Sequence, residues 1–310
     1  MTVALRVQDP GLFTTIQDLG RLNAISSGVQ PGGAMDRFAH SAANLLVGNE
    51  PGQASLECTF SGPNLVAEHA CVIAITGADF SPQINGSAAP SWTGLFLGPG
   101  DRLTFGVRRA GARIYIAVAG GIEADRWLGS SSTNVLAARG GKEGRPLKSG
   151  DVVSIAGGPQ KPAVSGRGMA ETVRPSYHDH TLYAIAGPQV KRLSPESRAL
   201  LFGAPYRLSS NSDRMGYRLE GPLLPTTGDE LLSFGLVGGA VQVPHNGQPI
   251  LLMADHQTAG GYPVVATVVS ASMPVAAQLL PGDEVRFAEV TLERARQMRL
   301  ALASALATLR

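Results

Sequence analysis

Short apolar segments bounded by glycine, proline, asparagine or aspartate recur along most of the chain. Segments of this length that are rich in valine and isoleucine are typical of β-strands. We therefore predict a mainly β fold in which glycines serve turns and bulges. The clearest predicted strands lie within residues 70–79, 111–121, 151–158, 181–187, 239–247 and 263–271.

Two segments instead have the spacing of amphipathic helices. The first covers residues near 36–48, where Asp36 is suited to cap the free backbone N–H groups and Gly48 to end the helix. The second is C-terminal and begins at Thr291. Each has apolar residues on one face, namely Phe38, Ala42, Leu45 and Leu46 in the first, and Leu292, Ala295, Met298, Leu302, Ala305 and Leu309 in the second.

A weak internal repeat divides the chain into two related β units. Residues 97–105, "LGPGDRLTF", are echoed by residues 280–287, "LPGDEVRF", and residues 56–65 are echoed by residues 219–224. The proline- and glycine-rich segment 157–168 is the natural linker. We predict an N-terminal β unit at residues 1–160 that contains the first helix, and a C-terminal β unit at residues 170–310 that ends in the second.

The composition argues against several classes of partner. The chain has 26 lysines and arginines against 24 acidic residues, so no overall field attracts nucleic acid or an anionic membrane. The N-terminus has no signal pattern and no apolar run has the length of a membrane helix, so we expect a soluble cytoplasmic protein. Cys58 and Cys71 have no metal or disulfide spacing and are expected to be buried thiols.

Familiar catalytic and nucleotide-binding motifs are absent from the sequence, including the phosphate loop, the dinucleotide-binding turn and the nucleophile elbow. There is also no lysine flanked by methionines for biotin attachment. Residues 178–180, "HDH", offer two imidazoles, which are too few for a metal site. We predict no metal site, and any nucleotide or biotin is expected to bind by another route or on another chain.

One candidate anion site lies at the start of the first helix. Gly32 and Gly33 lead directly into the helix that begins near Asp36, and a helix start presents N–H groups to an anion. A plain tight turn capped by Asp36 is the alternative.

Polar side chains cluster in two further stretches that flank predicted strands. Residues 211–214 bring together Asn211, Asp213 and Arg214, and an arginine can hold a carboxylate or phosphate with paired N–H donors. The second stretch, residues 251–263, "LLMADHQTAGGYP", follows an apolar strand. If the strand continues through it, Asp255 and Gln257 face one side and His256 and Thr258 the other, while Gly260 and Gly261 supply a bulge or a close approach.

Five longer stretches together resemble one protein family, variously called allophanate hydrolase subunit 2, KipA or the 5-oxoprolinase C subunit (PxpC). They cover nearly the whole chain in the expected order. The stretches are residues 10–21, "PGLFTTIQDLGR", 28–49, "GVQPGGAMDRFAHSAANLLVGN", 211–222, "NSDRMGYRLEGP", 239–263, "GAVQVPHNGQPILLMADHQTAGGYP", and 280–287, "LPGDEVRF".

The resemblance implies a cyclophilin-like β-barrel and an obligate partner, the 5-oxoprolinase B subunit or KipI-like protein (allophanate hydrolase subunit 1). In 5-oxoprolinase an A subunit joins the pair, and the complex uses ATP with Mg²⁺ to open 5-oxo-L-proline to L-glutamate. The sequence does not assign ATP to one chain of that complex. In urea carboxylase the same module is a carboxyltransferase that receives carboxyl from biotin, which is then bound in trans.

The resemblance also assigns candidate site residues. It implies a catalytic role for Asp255, Gln257 and Asp213, and substrate binding by Asn211, Arg214, Thr258, Gly260 and Gly261. The chain departs from the family at three positions: His256 and Ser131 stand where arginine is expected, and Ala259 stands where threonine is expected.

Three functions follow as hypotheses. The first is one subunit of an ATP-dependent 5-oxoprolinase that acts on a small-molecule substrate. The second is the carboxyltransferase half of a biotin-dependent system of the urea carboxylase or allophanate hydrolase type. The third is a KipA-like regulatory protein that binds a KipI-like kinase inhibitor.

Overall fold

The computed structural model describes residues 2–157 and 165–309. Residues 158–164, which form most of the predicted linker, lie outside the described residues. The described chain divides into two compact units. The first comprises Met1–Arg21, Gly32–Arg174 and Ser304–Arg310, and the second comprises Leu22–Pro31 and Pro175–Ala303.

This division differs from a simple cut at residues 160–170 in two respects. The segment Leu22–Pro31 belongs to the second unit although it lies early in the chain, and Ser304–Arg310 belongs to the first unit although it lies at the end. Neither exchange has a signal in the sequence, because hydrophobic periodicity reports the local element and not its distant neighbours.

The described residues of the first unit form two β-sheets. One has the strand order β11-β1-β4-β9-β6-β7, and the other has the order β2-β3-β10-β5-β8. The strands are β1 (Thr2–Asp9), β2 (Phe13–Gln17), β3 (Ser55–Thr59), β4 (Asn64–Ala67), β5 (Cys71–Asp79), β6 (Pro82–Ile84), β7 (Ser87–Ala88), β8 (Gly94–Leu97), β9 (Arg102–Phe105), β10 (Ala110–Val118) and β11 (Val152–Ile155).

Apolar side chains from strands of both sheets form one buried cluster, which includes Leu5, Leu56, Leu103 and Ile114. Burial of this apolar surface is the main favourable term in folding the unit. Both cysteines are free and buried, as expected.

The first predicted helix is α1 (Arg37–Leu46), and it packs against β3, β5 and β10. Asp36 caps it, with its carboxylate accepting a hydrogen bond from Ala39 N at 2.9 Å, and Gly48 follows it with a φ of 79°. The apolar residues predicted to share one face, Phe38, Ala42, Leu45 and Leu46, are all buried, and so is every other residue of α1 except Arg37. A helix surrounded by protein on all sides buries its polar residues as well.

The second unit is built on a closed barrel with the strand order β12-β19-β16-β17-β14-β13-β20. The predicted mainly β fold with a barrel is therefore confirmed. A separate two-stranded sheet pairs β15 with β18. The strands are β12 (Thr181–Ala186), β13 (Pro205–Leu208), β14 (Gly216–Glu220), β15 (Phe234–Gly235), β16 (Ala240–Gln242), β17 (Ile250–Leu252), β18 (Ala259–Gly260), β19 (Val264–Val268) and β20 (Glu284–Glu289).

The structure also contains helices that the periodicity did not predict. These are α2 (Pro195–Gly203), α3 (Met273–Ala276) and short 3₁₀ helices at Leu22–Ser27, Glu171–Val173 and Val190–Arg192. Ser194 caps α2 and Pro195 begins it, which is a sequence signature of a helix start that apolar periodicity does not reveal.

The C-terminal helix is α4 (Leu292–Ala307), and Thr291 Oγ1 accepts a hydrogen bond from Arg294 N at its start. Most residues of the predicted apolar stripe lie on the less exposed side of α4. Ala305 and Leu309 are buried, and Ala295, Met298 and Leu302 are half-buried. Leu292 is the exception and is exposed.

One part of the internal repeat has the same local structure in both units. Asp101 accepts a hydrogen bond from Gly98 N at 2.7 Å, and Asp283 accepts one from Leu280 N at 2.8 Å. Gly100 and Gly282, which precede the two aspartates, have φ values of 89° and 94°. Both turns lead into a strand, so the echoed sequences fold alike locally. No helix within residues 2–157 and 165–309 combines the length and apolarity that crossing a membrane requires.

Candidate functional site

The strand before the polar turn of residues 253–258 is shorter than the sequence pattern predicts. β17 ends at Leu252, and β18 begins only at Ala259. Side chains alternate between two faces only within extended strand, so the expectation that Asp255 and Gln257 share one face is wrong. Each polar side chain of the turn has its own set of contacts.

Asp255 and Arg214 form a paired contact at one end of the barrel. β14 and β17 are antiparallel neighbours with Gly216 opposite Leu252, so the turn before β14 lies beside the turn after β17. Arg214 Nε donates to Asp255 Oδ2 at 2.8 Å, and Nη2 donates to Oδ1 at 3.1 Å. The side chains are only 13% and 18% exposed. This bidentate geometry fixes the relative orientation of the two groups.

Two backbone contacts hold the same turn. Asp255 N donates to Arg214 O at 2.8 Å, and Gln30 Nε2 donates to Asp255 O at 2.8 Å. Gln30 comes from the early segment Leu22–Pro31 that belongs to the second unit. Gln30 was not among the predicted site residues, because nothing in a single sequence connects residues 225 positions apart.

Asn211 and Asp213 precede this pair in the chain, and both are exposed. Asp213 Oδ1 accepts hydrogen bonds from Met215 N at 2.8 Å and Gly216 N at 3.2 Å. Such a contact of an aspartate with backbone a few residues ahead stabilises a tight turn. The structure therefore gives Asp213 a role in shaping the turn that carries Arg214.

Gln257 lies beside a buried amide, Gln242, that was not among the predicted site residues. Gln257 Nε2 donates to Gln242 Oε1 at 3.5 Å, and Gln242 Nε2 donates to Tyr262 O at 3.4 Å. Gln242 is buried in β16. A polar residue inside an otherwise apolar strand was the available signal, since buried polar groups require hydrogen-bond partners.

Gly260 and Gly261 allow close approaches within the protein. A Cβ on Gly260 would lie 2.7 Å from Gln257 Nε2, and a Cβ on Gly261 would lie 2.9 Å from Leu231 O. Thr258 contributes its backbone oxygen, which accepts a hydrogen bond from Leu236 N at 2.9 Å. These positions therefore shape the turn and the short strand β18.

His256 and Ala259, two of the three departures from the family, have different surroundings. His256 is 4% exposed, and its Nδ1 donates to Gln257 O at 2.7 Å, because a carbonyl oxygen can only accept. Ala259 is exposed and pairs with Gly235 in the two-stranded sheet. The imidazole is thus part of the packed turn.

The candidate anion site is filled by the protein's own carboxylate. Asp36 is fully buried and accepts from the helix N-terminus at Ala39 N. Gly32 and Gly33 have φ values of 65° and 94°, and a Cβ on Gly33 would lie 2.8 Å from Gly20 N. The glycines are required for backbone packing, which favours the alternative of a capped tight turn.

A buried polar network, which was not predicted from the sequence, adjoins this turn. Tyr115 Oη donates to Glu57 Oε2 at 2.8 Å and accepts from Asp36 N at 2.7 Å. Glu57 Oε2 also accepts from Met35 N at 2.8 Å. Burial raises the pKa of Tyr115 well above its usual value, with the nearby Glu57 adding to the effect. Glu57 and Tyr115 each interrupt an apolar strand, which was the available signal.

Ser131, the third departure, contacts Asp18 in the first unit. Ser131 N donates to Asp18 Oδ2 at 2.6 Å, and the hydroxyls of Ser130 and Ser132 donate to Oδ1 at 2.6 Å. Burial works to raise the pKa of Asp18, but these hydrogen bonds and one from Gly20 N outweigh it and hold the pKa below its usual value.

Among the residues that the structure describes, no three or more His, Cys, Asp or Glu side chains are grouped to hold a metal ion. His180 of the "HDH" segment donates from Nδ1 to Glu284 O at 3.1 Å instead.

Comparison with known proteins gives consistent results. Residues 27–289 match the family described as carboxyltransferase domain, subdomain A and B. The chain is 40% identical to the C subunit of 5-oxoprolinase from Escherichia coli K12, over 95% of this chain and 94% of that protein. It is 33% identical to the corresponding C subunit of Haemophilus influenzae, over 92% and 91% of the two chains.

A solved structure, that of the Kluyveromyces lactis urea carboxylase, superposes with a TM-score of 0.91 at 27% identity. The match covers all of this chain and 29% of that one. These results confirm the resemblance drawn from the five sequence stretches. The chain therefore belongs to the carboxyltransferase domain, subdomain A and B, family.

Proposed function

We propose that this chain is the C subunit of an ATP-dependent 5-oxoprolinase that opens 5-oxo-L-proline to L-glutamate. The observation that carries the proposal is 40% identity to the Escherichia coli protein, spread over 95% of this chain and 94% of that one. The partners in this proposal are the A and B subunits of the complex, the second of which is KipI-like.

Opening a lactam requires groups that the turn before β14 and the turn after β17 provide. A lactam amide is a poor electrophile, so its opening needs activation of the carbonyl and a positioned nucleophile. Asp255 is held by two hydrogen bonds from Arg214 and is a hydrogen-bond acceptor in a fixed orientation. We assign Asp255 the role of orienting or deprotonating the attacking group, and Arg214 the role of positioning Asp255.

The remaining predicted residues have supporting roles in the proposal. Asn211 is exposed before the same turn and is available to the substrate carboxylate or carbonyl. Gln257, with Thr258 following it, contributes hydrogen bonds at the other side of the turn. Asp213 shapes the turn through Met215 N and Gly216 N and need not touch substrate.

ATP does not fit the one anion site that the sequence suggested. The start of α1 already accepts the carboxylate of Asp36, which is fully buried, so a nucleotide phosphate has no place there. In the complex, ATP would supply activation of the lactam carbonyl by phosphorylation.

Reconstitution of the complex tests the proposal. This chain, co-expressed with the A and B subunits of a 5-oxoprolinase, should release L-glutamate from 5-oxo-L-proline only when ATP is present. Asp255→Asn and Arg214→Ala should each lower that turnover by at least about 100-fold, the scale of a lost general base or its positioning group.

A second ion pair of the same unit provides the matched control. Arg198 donates to Glu289 at 2.7 Å, but the two side chains are 48% and 37% exposed and belong to α2 and β20 rather than to the paired turns. Arg198→Ala should leave turnover within about twofold, as expected of an exposed pair. Near-normal turnover by complexes that carry Asp255→Asn or Arg214→Ala would rule out the proposed roles of these two residues. If the wild-type complex releases no L-glutamate with ATP, the proposed function is ruled out.

A carboxyltransferase half of a biotin-dependent system is the second candidate. It is favoured by the family match and by the superposition on the urea carboxylase chain. In this case biotin arrives in trans on a carrier domain. Carboxyl transfer from a biotinylated carrier to urea, without release of glutamate from 5-oxo-L-proline, would select it. The KipA-like regulatory hypothesis stays a prediction, and partner binding without turnover by any reconstituted set would favour it.

A further inference from the structure

A cavity of about 270 Å³ lies in the second unit. Gly261 and Tyr262, which follow the polar turn, form part of its wall, whereas Asp255 and Arg214 do not. The volume is just below the roughly 300–1,000 Å³ of sites for drug-sized ligands, so it suits a small metabolite. The lining residues are Arg192, Thr226, Gly228, Asp229, Glu230, Leu231, Val243, His245, Gly261, Tyr262 and Pro263.

Arg192 is fixed in the wall by backbone contacts. Its Nη1 donates to Thr227 O at 3.2 Å and to Asp229 O at 2.6 Å. A Cβ on Gly228 would lie 3.2 Å from Nη1 and 3.3 Å from Cζ, so the guanidinium lies against the backbone of that glycine. Its Nε and Nη2 make no hydrogen bond to any residue within 2–157 or 165–309. Two N–H donor groups of an oriented guanidinium therefore remain for a ligand.

Two carboxylates line the same cavity. Asp229 and Glu230 are both exposed side chains. Neither forms an ion pair with Arg192 or with another cationic side chain in the described part of the chain. The cavity wall therefore carries one guanidinium and two carboxylates that are not paired with each other.

The rest of the wall is aromatic and apolar. His245 and Tyr262 are in edge-to-face contact, with ring centroids 6.0 Å apart and planes at 90°. Val243, Leu231 and Pro263 add apolar surface. Such a surface accommodates the carbon chain of a ligand whose charged groups are bound elsewhere.

We propose that this cavity binds a free α-amino acid with an uncharged side chain, in its zwitterionic form. The ligand carboxylate pairs with Arg192, whose planar donors match it, and the ligand ammonium pairs with Asp229 and Glu230. Two carboxylates against one guanidinium give this wall an excess of negative charge. A second carboxylate on the ligand is therefore unfavourable, and so is the absence of an ammonium.

This assignment distinguishes amino acids from lactams. A lactam such as 5-oxo-L-proline has a carboxylate but no ammonium, so it satisfies only the Arg192 side of the cavity. L-Glutamine has both charged groups and a neutral side chain. The proposal concerns binding to this chain and does not rest on the function proposed above.

Calorimetric titration of the full chain tests the inference without ATP or partners. L-Glutamine should bind at least tenfold more tightly than N-acetyl-L-glutamine, which lacks the ammonium, and than L-glutaminamide, which lacks the carboxylate, because each loses a charge-assisted hydrogen bond. L-Glutamate and 5-oxo-L-proline should also bind more weakly than L-glutamine. Equal binding of all these compounds, no binding of L-glutamine, or tighter binding of L-glutamate would overturn the proposal.

Substitution of Asp229 and Glu230 distinguishes a loss of ligand recognition from a loss of folding. Asp229→Asn combined with Glu230→Gln should reduce the preference for L-glutamine over N-acetyl-L-glutamine to about twofold or less, while the thermal midpoint of the chain is unchanged. Arg192→Gln should abolish binding of both compounds, but it also removes contacts to Thr227 and Asp229. Glu196→Gln, at an exposed residue of α2 outside the cavity, is the matched control and should preserve the preference. A preference unchanged in the double variant would contradict the assignment.

Discussion

Arg214 and Asp255 are joined twice, once by a bidentate contact between their side chains and once by a backbone hydrogen bond from Asp255 N to Arg214 O. The residues are 41 positions apart, and adjacency of β14 and β17 brings them together. The side-chain and backbone contacts together constrain both turns. They hold the Asp255 side chain in a fixed orientation, as a catalytic group requires.

The first prediction concerns the energy of this pair. Arg214→Ala should lower the free energy of unfolding by roughly 3 kcal/mol, because it leaves a mostly buried carboxylate without its partner. A double-mutant cycle with Asp255→Ala, measured by denaturant unfolding, should give a clear coupling energy. The same cycle on Arg198 and Glu289 should give less than about 1 kcal/mol, since that pair is exposed. Equal coupling in the two cycles would contradict the prediction.

The second prediction concerns Gly33. Gly33→Ala should destabilise the protein by about 3 kcal/mol, because it adds a side chain at positive φ and brings Cβ to within 2.8 Å of Gly20 N. Gly28→Ala is the matched control, since Gly28 also has positive φ but a Cβ added there would have no other atom within 4 Å. Thermal unfolding should therefore show only the backbone cost of about 1 kcal/mol for Gly28→Ala. A cost for Gly33→Ala no larger than that of the control would show that the close approach is absent.

The third prediction concerns pH. Burial lowers the pKa of His40 from 6.5 to about 4. Its Nε2 accepts from Asn44 Nδ2, so Nδ1 donates to Ser55 Oγ at 2.8 Å and the ring is satisfied while neutral. Between pH 6.5 and 4 the unfolded chain binds the proton more readily than the folded chain, so stability should fall as the pH falls through this window.

The loss attributable to His40 should reach roughly 3 kcal/mol by about pH 4. Unfolding by urea across the window should show this slope in the wild type and a shallower one in His40→Gln. His178→Gln, at an exposed position, should keep the wild-type slope. If His40→Gln retains the full slope, other groups account for it.

The fourth prediction concerns the two thiols. Cys58 and Cys71 are buried, and burial raises the pKa of each to about 12. A thiol reagent should therefore label neither in the folded protein at about pH 8, because the thiolate is the reactive form. Both should label in guanidinium chloride. Rapid labelling of the folded chain would contradict the burial of these residues.

The sequence predicted much of the β framework, and the reason is local. The segments at 70–79, 111–121, 181–187 and 263–271 all contain strands, because apolar β-branched runs between turn residues have few alternatives. The start of α1 was also predicted from a local signal, because Asp36 is a typical helix cap. The short helix α2 was missed because its apolar spacing is weak, although Ser194 and Pro195 marked its start.

The candidate site was less predictable, because it depends on where a strand ends and on contacts between distant segments. Strand alternation grouped Asp255 with Gln257, but β17 stops at Leu252 and Asp255 turns towards Arg214. The sequence selected both members of that pair without showing that they touch. Gln30 was not predicted because no local sequence feature marks it. Gln242 was not predicted because its strand was interpreted as apolar.

The exchange of Leu22–Pro31 into the second unit and of Ser304–Arg310 into the first has a consequence for synthesis. Domains usually fold one after another as they leave the ribosome. Here the second unit needs Leu22–Pro31, which is made before most of the first unit, and the first unit needs Ser304–Arg310, which is made after the second and includes the buried Leu309. The first unit therefore lacks part of its packing until the residues of the second have been made, so the two cannot fold strictly one after the other in chain order.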